Sequence, residues 1–404
     1  GLKYEYTTIT DLPHFDSSIE SYEVHSYNPY NNSFRENDEI RIPIHQQDIY
    51  VLPSASSIYI EGQAKLFGKD GHPSKKTVTF TNNPVMYLFQ DIRYEMNGIE
   101  IDRIKNSGIT STIKSYISLN EAESKVAALW GWNLNGFQSD GHFSVVVPLN
   151  KILGFAEDYN KIVINCKHEL ILNRSNSNLN SIILTDENVQ LQIDIQRVQW
   201  RVPHIKVSDR ERLTLLKHLE RDKPIQMAFR NWDLYEYPLL PKTTKHSWSV
   251  KTASQLEKPR YVIFCLQTNR KSNKSKDSSV FDHCDVTNVT LFLNSQYYPY
   301  EPLGLKFSEN KYSILYEMYV KFRQSYYSSP IDPLLDLKDF KEKAPLFIID
   351  CSRQNDCLKT GPVDVRLEFE CSTLIPDNTT AYCLIINDRL VEYKPLSNIV
   401  RRLS

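Results

Sequence analysis

The amino-acid sequence predicts an all-β protein made of two tandem eight-stranded antiparallel sandwiches with a few short inserted helices. Three observations lead there. Apolar and polar residues alternate with a period of two through most of the patterned segments, as they do in strands with one wet face. Tyr (24) and Phe (17) are plentiful in the 404 residues while Gly is limited to 12, which favours strands over helices and leaves little for nucleotide-cradling loops. Finally, the order of elements recurs at a near-constant spacing, the mark of a duplicated unit.

Taken in order, residues 1–40 are rich in Tyr and Asn, poorly periodic and without a helix or strand signature. They are expected to form an N-terminal arm that orders on assembly. Strands are expected at 40–44, 58–66, 77–81 and 85–95. Asn97-Gly98 then sits between alternating runs, the strongest short signal for a tight hairpin turn. Residues 120–130 read as a helix, and strands follow at 143–148, 162–172 and 189–195. Ser208-Asp209-Arg210-Glu211 is a capping box, in which Ser208 and Glu211 satisfy each other's free amides. Leu213, Leu216 and Leu219 continue that helix until Pro224 stops it. Beyond it, strands are expected at 261–268, 286–293, 346–350, 363–371 and 382–391, with helices at 309–326 and 336–343. In the 363–371 run every apolar residue faces one way and every charge the other.

The repeat sets the domain organisation. The strand beginning at Ile58 is answered at Tyr261, 203 positions on; Val145 is answered at Leu346, 201 on; Lys161 at Val363, 202 on; and Val198 at Val391, 193 on. The helices at 120–130 and 309–326 are paired in the same scheme. About eight strands per half, with a helix inserted late, fit a jelly roll better than a shorter immunoglobulin sandwich. The expected division is an arm over 1–40, a first jelly roll over 41–205, a connecting helix over 206–224 and a second jelly roll over 225–404.

Lys plus Arg is 48 and Asp plus Glu is 49, a net charge of -1, which argues against a general nucleic-acid coat. No run of about 18 apolar residues is present to span a membrane, and the first residues lack an apolar signal core. The seven cysteines are odd in number and contain no CxxC pair, so the chain is expected to be made reduced and intracellular, without a zinc site. No GxGxxG, Walker, GxSxG or HExxH motif is present. Gly68-Lys69-Asp70-Gly71 is a turn, and His168 reads as a hydrogen-bonded structural histidine. Asp91 with Glu95, and Glu368 with Glu370, read as solvated strand faces rather than a hydrolase pair. Catalytic, cofactor-binding and metal residues are all expected to be absent. The basic run 269–276 reads as a mobile polar loop rather than a nucleic-acid contact. Asp350, Arg353 and Gln354 after an apolar strand, with Tyr316, Tyr319 and Tyr326 at helical spacing, form the expected interface cluster.

Several of these segments resemble one family. The stretch from Pro345 through Asp350-Cys351-Ser352-Arg353-Gln354 to Phe369, then Ile375-Pro376-Asp377-Asn378-Thr379-Thr380-Ala381-Tyr382 and Asn387-Asp388-Arg389, is similar to major capsid proteins of Polinton/Maverick-type elements and adintovirus-like viruses of animals. The 91–102 block with its Asn97-Gly98 turn, and Gly108-Ile109-Thr110-Ser111, resemble their first half. The resemblance implies a double jelly roll, a homotrimer forming a pseudo-hexameric capsomer, and an icosahedral shell around double-stranded DNA. It further implies a virion location after synthesis in the host cytoplasm, a penton or minor capsid protein as partner, weak DNA contact at most, and no cofactor. Two other classes fit the two-domain pattern: a secreted jelly-roll hydrolase resembling a glycan amidase, and a carbohydrate- or cell-binding module.

Overall fold

The computed structural model describes residues 18–46, 48–74, 77–252, 258–353 and 361–404. The first half contributes β1 (Ile19–Tyr27), β2 (Glu39–Ile44), β3 (Ser57–Gly68), β4 (Phe89–Met96), β5 (Ile99–Lys105), β6 (His142–Pro148), β7 (His168–Arg174) and β8 (Val189–Val207). Hydrogen bonding orders them as β1-β8-β3-β6 and β2-β7-β4-β5. The second half contributes β9 (Ile225–Tyr237), β10 (Lys245–Lys251), β11 (Lys258–Thr268), β12 (Val286–Leu293), β13 (Gln296–Tyr298), β14 (Phe347–Asp350), β15 (Val365–Cys371) and β16 (Thr379–Lys394). Their order is β9-β16-β11-β14 and β10-β15-β12-β13. Counted from the start of its own half, each set reads 1-8-3-6 and 2-7-4-5. The chain is therefore a double jelly roll, two copies of one permutation. Short strands at Tyr50–Val51 and Ile399–Arg402 extend the larger sheets, and Val78–Phe80, Phe137–Ser139 and Ile182–Ile183 form a small sheet of their own.

The period-two pattern decides which side each strand buries. In β15, Val365, Leu367, Phe369 and Cys371 are buried while Arg366, Glu368 and Glu370 face out, and β3 alternates in the same way. β11 and much of β16 are instead buried continuously, as happens when both faces of a strand are covered. The charged outer faces are paired, across strands for Asp91 with Arg103 (3.4 Å) and Glu370 with Lys245 (3.7 Å) and along β4 for Glu95 with Arg93 (3.6 Å). The hairpin of β4 and β5 turns at Asn97 (φ 49°) and Gly98 (φ 79°), the left-handed pair a type I′ turn requires. Asn97 also accepts the Lys167 amide on its side-chain oxygen (3.0 Å) and donates its own amide to the Lys167 carbonyl (2.9 Å), which ties the turn to the approach of β7.

Among the described residues six α-helices join the strands: α1 (Ser107–Ser118), α2 (Glu121–Val126), α3 (Gly154–Asp158), α4 (Asp209–Glu220), α5 (Ser313–Tyr327) and α6 (Leu337–Lys343). α4 links the two rolls. Its Ser208 cap accepts the Glu211 amide (3.3 Å), and none of its residues is buried.

Several expectations are corrected. Residues 19–27 form β1 rather than part of an arm, pairing from Ile19↔Val207 to Tyr27↔Trp200; residues 1–17 lie outside the described residues. β1 escaped notice because it is an edge strand with almost every residue exposed, so no apolar phase marks it. The 120–130 helix is α2 followed by a 3-10 turn, Ala127–Trp130, and the true counterpart of α5 is α1, which lies between fifth and sixth strands as α5 does. The 162–172 strand is confined to β7, and the 85–95 strand opens with a 3-10 turn over Pro84–Leu88.

Candidate functional site

The densest polar and aromatic chemistry lies in the seam between the two rolls. There α1 and α5, equivalent helices, pack on each other. The Tyr319 hydroxyl donates to the Tyr116 carbonyl (3.1 Å), and the Arg323 guanidinium donates to the Ser118 carbonyl and pairs with Glu123 (3.3 Å). Every residue of α1 is buried.

Beside them α3 of the first roll lies on β9, the edge strand that opens the second. Gly154 makes this approach possible: a Cβ there would fall 1.7 Å from the Arg230 carbonyl oxygen. Asp158 then clasps Arg230, accepting its backbone amide (2.7 Å), Nε (3.0 Å) and Nη2 (2.8 Å). One roll thus satisfies an edge amide of the other and covers that stretch of the sheet edge. The guanidinium lies 3.5 Å from the centre of the Tyr326 ring and donates to the Tyr326 carbonyl (2.6 Å). Burial works against its charge, but the bonds to Asp158 outweigh that and hold its pKa above the usual arginine value.

Lys114 on α1 is buried, with Nζ 3.4 Å from Glu157 Oε1 and 4.9 Å from the centre of the Trp232 ring. Glu157 also accepts the hydroxyls of Tyr327 (3.0 Å) and Tyr326 (3.4 Å), and Trp232 Nε1 donates to Tyr326 (3.0 Å). Burial first, then the Glu157 charge, push both tyrosine pKa values up, so these hydroxyls stay protonated as donors. Asp102 accepts from the Phe155 amide (3.0 Å), Asn231 (2.9 Å) and the Arg103 amide (2.9 Å). Burial raises its pKa, an effect those bonds partly offset. A largely paired polar seam of this kind, in which Lys114 Nζ and Arg323 Nε alone of the groups named here lack a hydrogen-bond partner among the described residues, favours one relative placement of the two rolls.

The predicted cluster divides in two. Tyr316, Tyr319 and Tyr326 belong to the interior: Tyr316 donates to the Leu335 carbonyl (2.7 Å), and Tyr319 and Tyr326 serve the seam. Asp350 sits at the exposed end of β14, accepting from Ser325 (2.9 Å) and the Ser352 amide (2.9 Å). Arg353 is exposed beside it, and Gln354 lies outside the described residues. Asp350 and Arg353 border a groove of about 920 Å³ between α5, β14 and the 298–303 segment, lined also by Tyr298, Ile314, Met318 and Phe322.

The basic run is docked, not free. Arg270 makes a two-pronged pair with Asp282 (2.8 and 2.9 Å), Lys271 pairs with Glu236, and the Leu184 amide donates to the Lys274 carbonyl (2.6 Å). Tyr87 and Tyr116 of the first roll donate to the Ser278 (3.0 Å) and Ser279 (2.9 Å) carbonyls just beyond. Sequence reasoning missed Asp158, Arg230, Lys114, Glu157 and Gly154, whose partners are set by topology rather than by local spacing. A lysine on the apolar phase of Ile113 and Ile117 was the one local signal.

A cleft of about 980 Å³ between β1 and α4 holds Glu23, His25, Tyr27 and His204. His25 stacks on His204 (4.0 Å between centres), and the Tyr27 hydroxyl lies 2.6 Å from His204 Nε2. Ser21 and Ser26 line it, yet among the described residues neither hydrogen-bonds to either histidine. Among the described residues no three His, Cys, Asp or Glu side chains form a metal-holding group, and no helix is long and apolar enough to cross a membrane.

A family model described as Double jelly roll-like domain matches residues 78–391. Among solved structures, a chain of the Sputnik virophage aligns with a TM-score of 0.64 at 8% identity, covering 100% of this chain and 92% of that one. The Faustovirus major capsid protein aligns at 0.59 with 9% identity, covering 96% and 93%. The mavirus major capsid protein aligns at 0.57 with 11% identity, covering 98% and 92%. No curated protein matches the sequence.

Proposed function

Since the chain belongs to the double jelly roll-like domain family, we propose that it is the major capsid protein of a Polinton/Maverick-type, adintovirus-like element, with a structural and not an enzymatic role. The observation that carries this reading is the pair of rolls with one strand permutation, held in a fixed relation by a polar seam. Three such chains place six similar sandwiches around an axis, giving a hexagonal building block from a three-fold assembly. Likeness in fold to capsid proteins of mavirus and Faustovirus supports the same reading.

In this reading the homotrimer is the capsomer, held by about 2,000 Å² or more of buried surface per interface, with smaller and more polar contacts between capsomers. The shell is icosahedral and encloses double-stranded DNA, which it touches weakly. That weakness follows from the net charge of -1 and from the pairing of Arg270 with Asp282 and of Lys271 with Glu236. A penton or minor capsid protein completes the vertices, and the residues ahead of β1 act as an arm beneath the shell. Size-exclusion chromatography with light scattering, followed by negative-stain microscopy, tests the reading. Trimers of about 141 kDa, three times 47.1 kDa, that build shells are the expected result, with shells lost on removing residues 1–17. A protein that remains monomeric overturns it.

A further inference from the structure

Between the two rolls lies a pocket of about 250 Å³, walled by the start of α1 and the exit of β7 on one side and by β9, β11 and β16 on the other. Two buried side chains each turn an unpaired polar atom toward it. Tyr382 is 1% exposed, and its hydroxyl has no partner among the described residues. Gln267 is also 1% exposed and donates both amide hydrogens to carbonyls, those of Ser278 (2.7 Å) and Val280 (2.9 Å). Those two bonds fix which end of the amide is nitrogen, and they leave Oε1 an acceptor with no donor among the described residues. Neither atom is sealed in the interior, so both open on the pocket. Asn106 lines the same space, its side chain making no cap bond to α1, and Ile109 adds an aliphatic surface. Buried groups of this kind are costly to leave without partners.

We propose that this pocket binds a single neutral sugar ring. A hydroxyl, an amide carbonyl and a free amide together call for a ligand that both donates and accepts, as ring hydroxyls do. An anion would meet Gln267 Oε1 and the Glu236 carboxylate, and a cation would meet Lys271; those two charges already pair with each other. The volume is below the roughly 300–1,000 Å³ of drug-sized sites, which suits one ring rather than a chain of rings. The position indicates where that ring comes from. β9 runs about 35 Å from Ile225, just after α4, to Glu236 at the pocket. β1 starts opposite Val207, the residue before the Ser208 cap. The connector and the residues ahead of β1 therefore share one end of the molecule, and the pocket occupies the other. In the capsid reading, on which this last step rests, the arm lies beneath the shell. The pocket then faces outward, and its ligand is the terminal residue of a cell-surface glycan.

The test titrates the full-length protein with glucose, galactose and mannose, and separately with inorganic phosphate, by isothermal titration calorimetry. At least one hexose is expected to bind. Its dissociation constant should rise about fivefold or more in Tyr382→Phe, which removes only the unpartnered hydroxyl. The same is expected of Asn106→Gly, which keeps the left-handed backbone (φ 45°), with the melting temperature of both variants as in the wild type. No binding of any hexose overturns the proposal, as does binding that both variants leave unchanged. Binding of phosphate alone overturns the neutral ligand. Assembled shells should be held on a surface bearing the preferred hexose and released by the free sugar. Shells that ignore this surface while the dissociated chain binds the sugar overturn the outward placement. A chain that binds the sugar yet never leaves the monomer upholds the pocket and overturns the capsid reading.

Discussion

His168 is enclosed completely, its Nδ1 2.6 Å from the Tyr94 hydroxyl, and burial drives its pKa down to about 3. In the unfolded chain the same ring titrates near pH 6.5, at about the model-peptide value. Between those limits only the unfolded chain takes up the proton. The full contribution of the neutral ring is therefore present above pH 6.5 and is lost by about 1.4 kcal/mol per unit as the pH falls toward 3. From pH 7.5 to 5.0 the wild type should lose about 2 kcal/mol more than His168→Gln, read from urea midpoints by tryptophan fluorescence; equal losses would contradict it. The histidine was legible as a structural residue because it lies on a strand with no ligand spacing around it. The Asn97-Gly98 turn was legible because a dipeptide suffices to set it. The clasp of Asp158 on Arg230 was not, since 72 positions separate them and nothing local marks either one.

Elements were legible in proportion to how much of their pattern is local. β15 and β3 alternate cleanly because one face meets water and the other the core. β1 went unread because an edge strand exposed on both sides carries no such contrast. α1 went unread for the opposite reason. Ser107-Gly108-Ile109-Thr110-Ser111-Thr112-Ile113 is rich in β-branched and small polar residues that rank low as helix formers, and burial on all sides erases the amphipathic stripe. There tertiary packing overrides propensity, with Thr110 and Ser111 returning their hydroxyls to the Lys105 and Ser107 carbonyls. α4 is the contrary case, a solvent-facing helix held by its own sequence. Ser208→Ala should cost it about 1 kcal/mol, seen as roughly fivefold faster amide hydrogen exchange over 209–220 with both sandwiches unaltered. Faster exchange throughout both rolls would instead mean that the connector carries global stability.

The repeat in the sequence identified two units of one kind, but how they meet was settled by a seam no periodicity records. That seam makes a claim about the whole chain: with its rolls clasped at Arg230 and Tyr319, it should melt as one cooperative unit. Gly154→Ala forces α3 away from β9, at a cost of about 2–4 kcal/mol concentrated at the seam. Differential scanning calorimetry should resolve one transition in the wild type and two in the variant; a single transition in both would mean that the rolls are coupled elsewhere.

The turns bring out a different property, chemical ageing. Most non-glycine residues with positive φ are asparagines, among them Asn37, Asn83, Asn106, Asn165, Asn294 and Asn378. In a chain so short of glycine, asparagine supplies the left-handed positions. Asparagine is also a thermolabile residue, and before a small flexible neighbour it cyclises and deamidates. At Asn97-Gly98 the isoaspartyl product would lengthen the backbone by one carbon at the tip of the β4–β5 hairpin, where Asn97 braces Lys167. The lifetime of any particle built from this protein would then be limited by its corners, while its sheets remain sound.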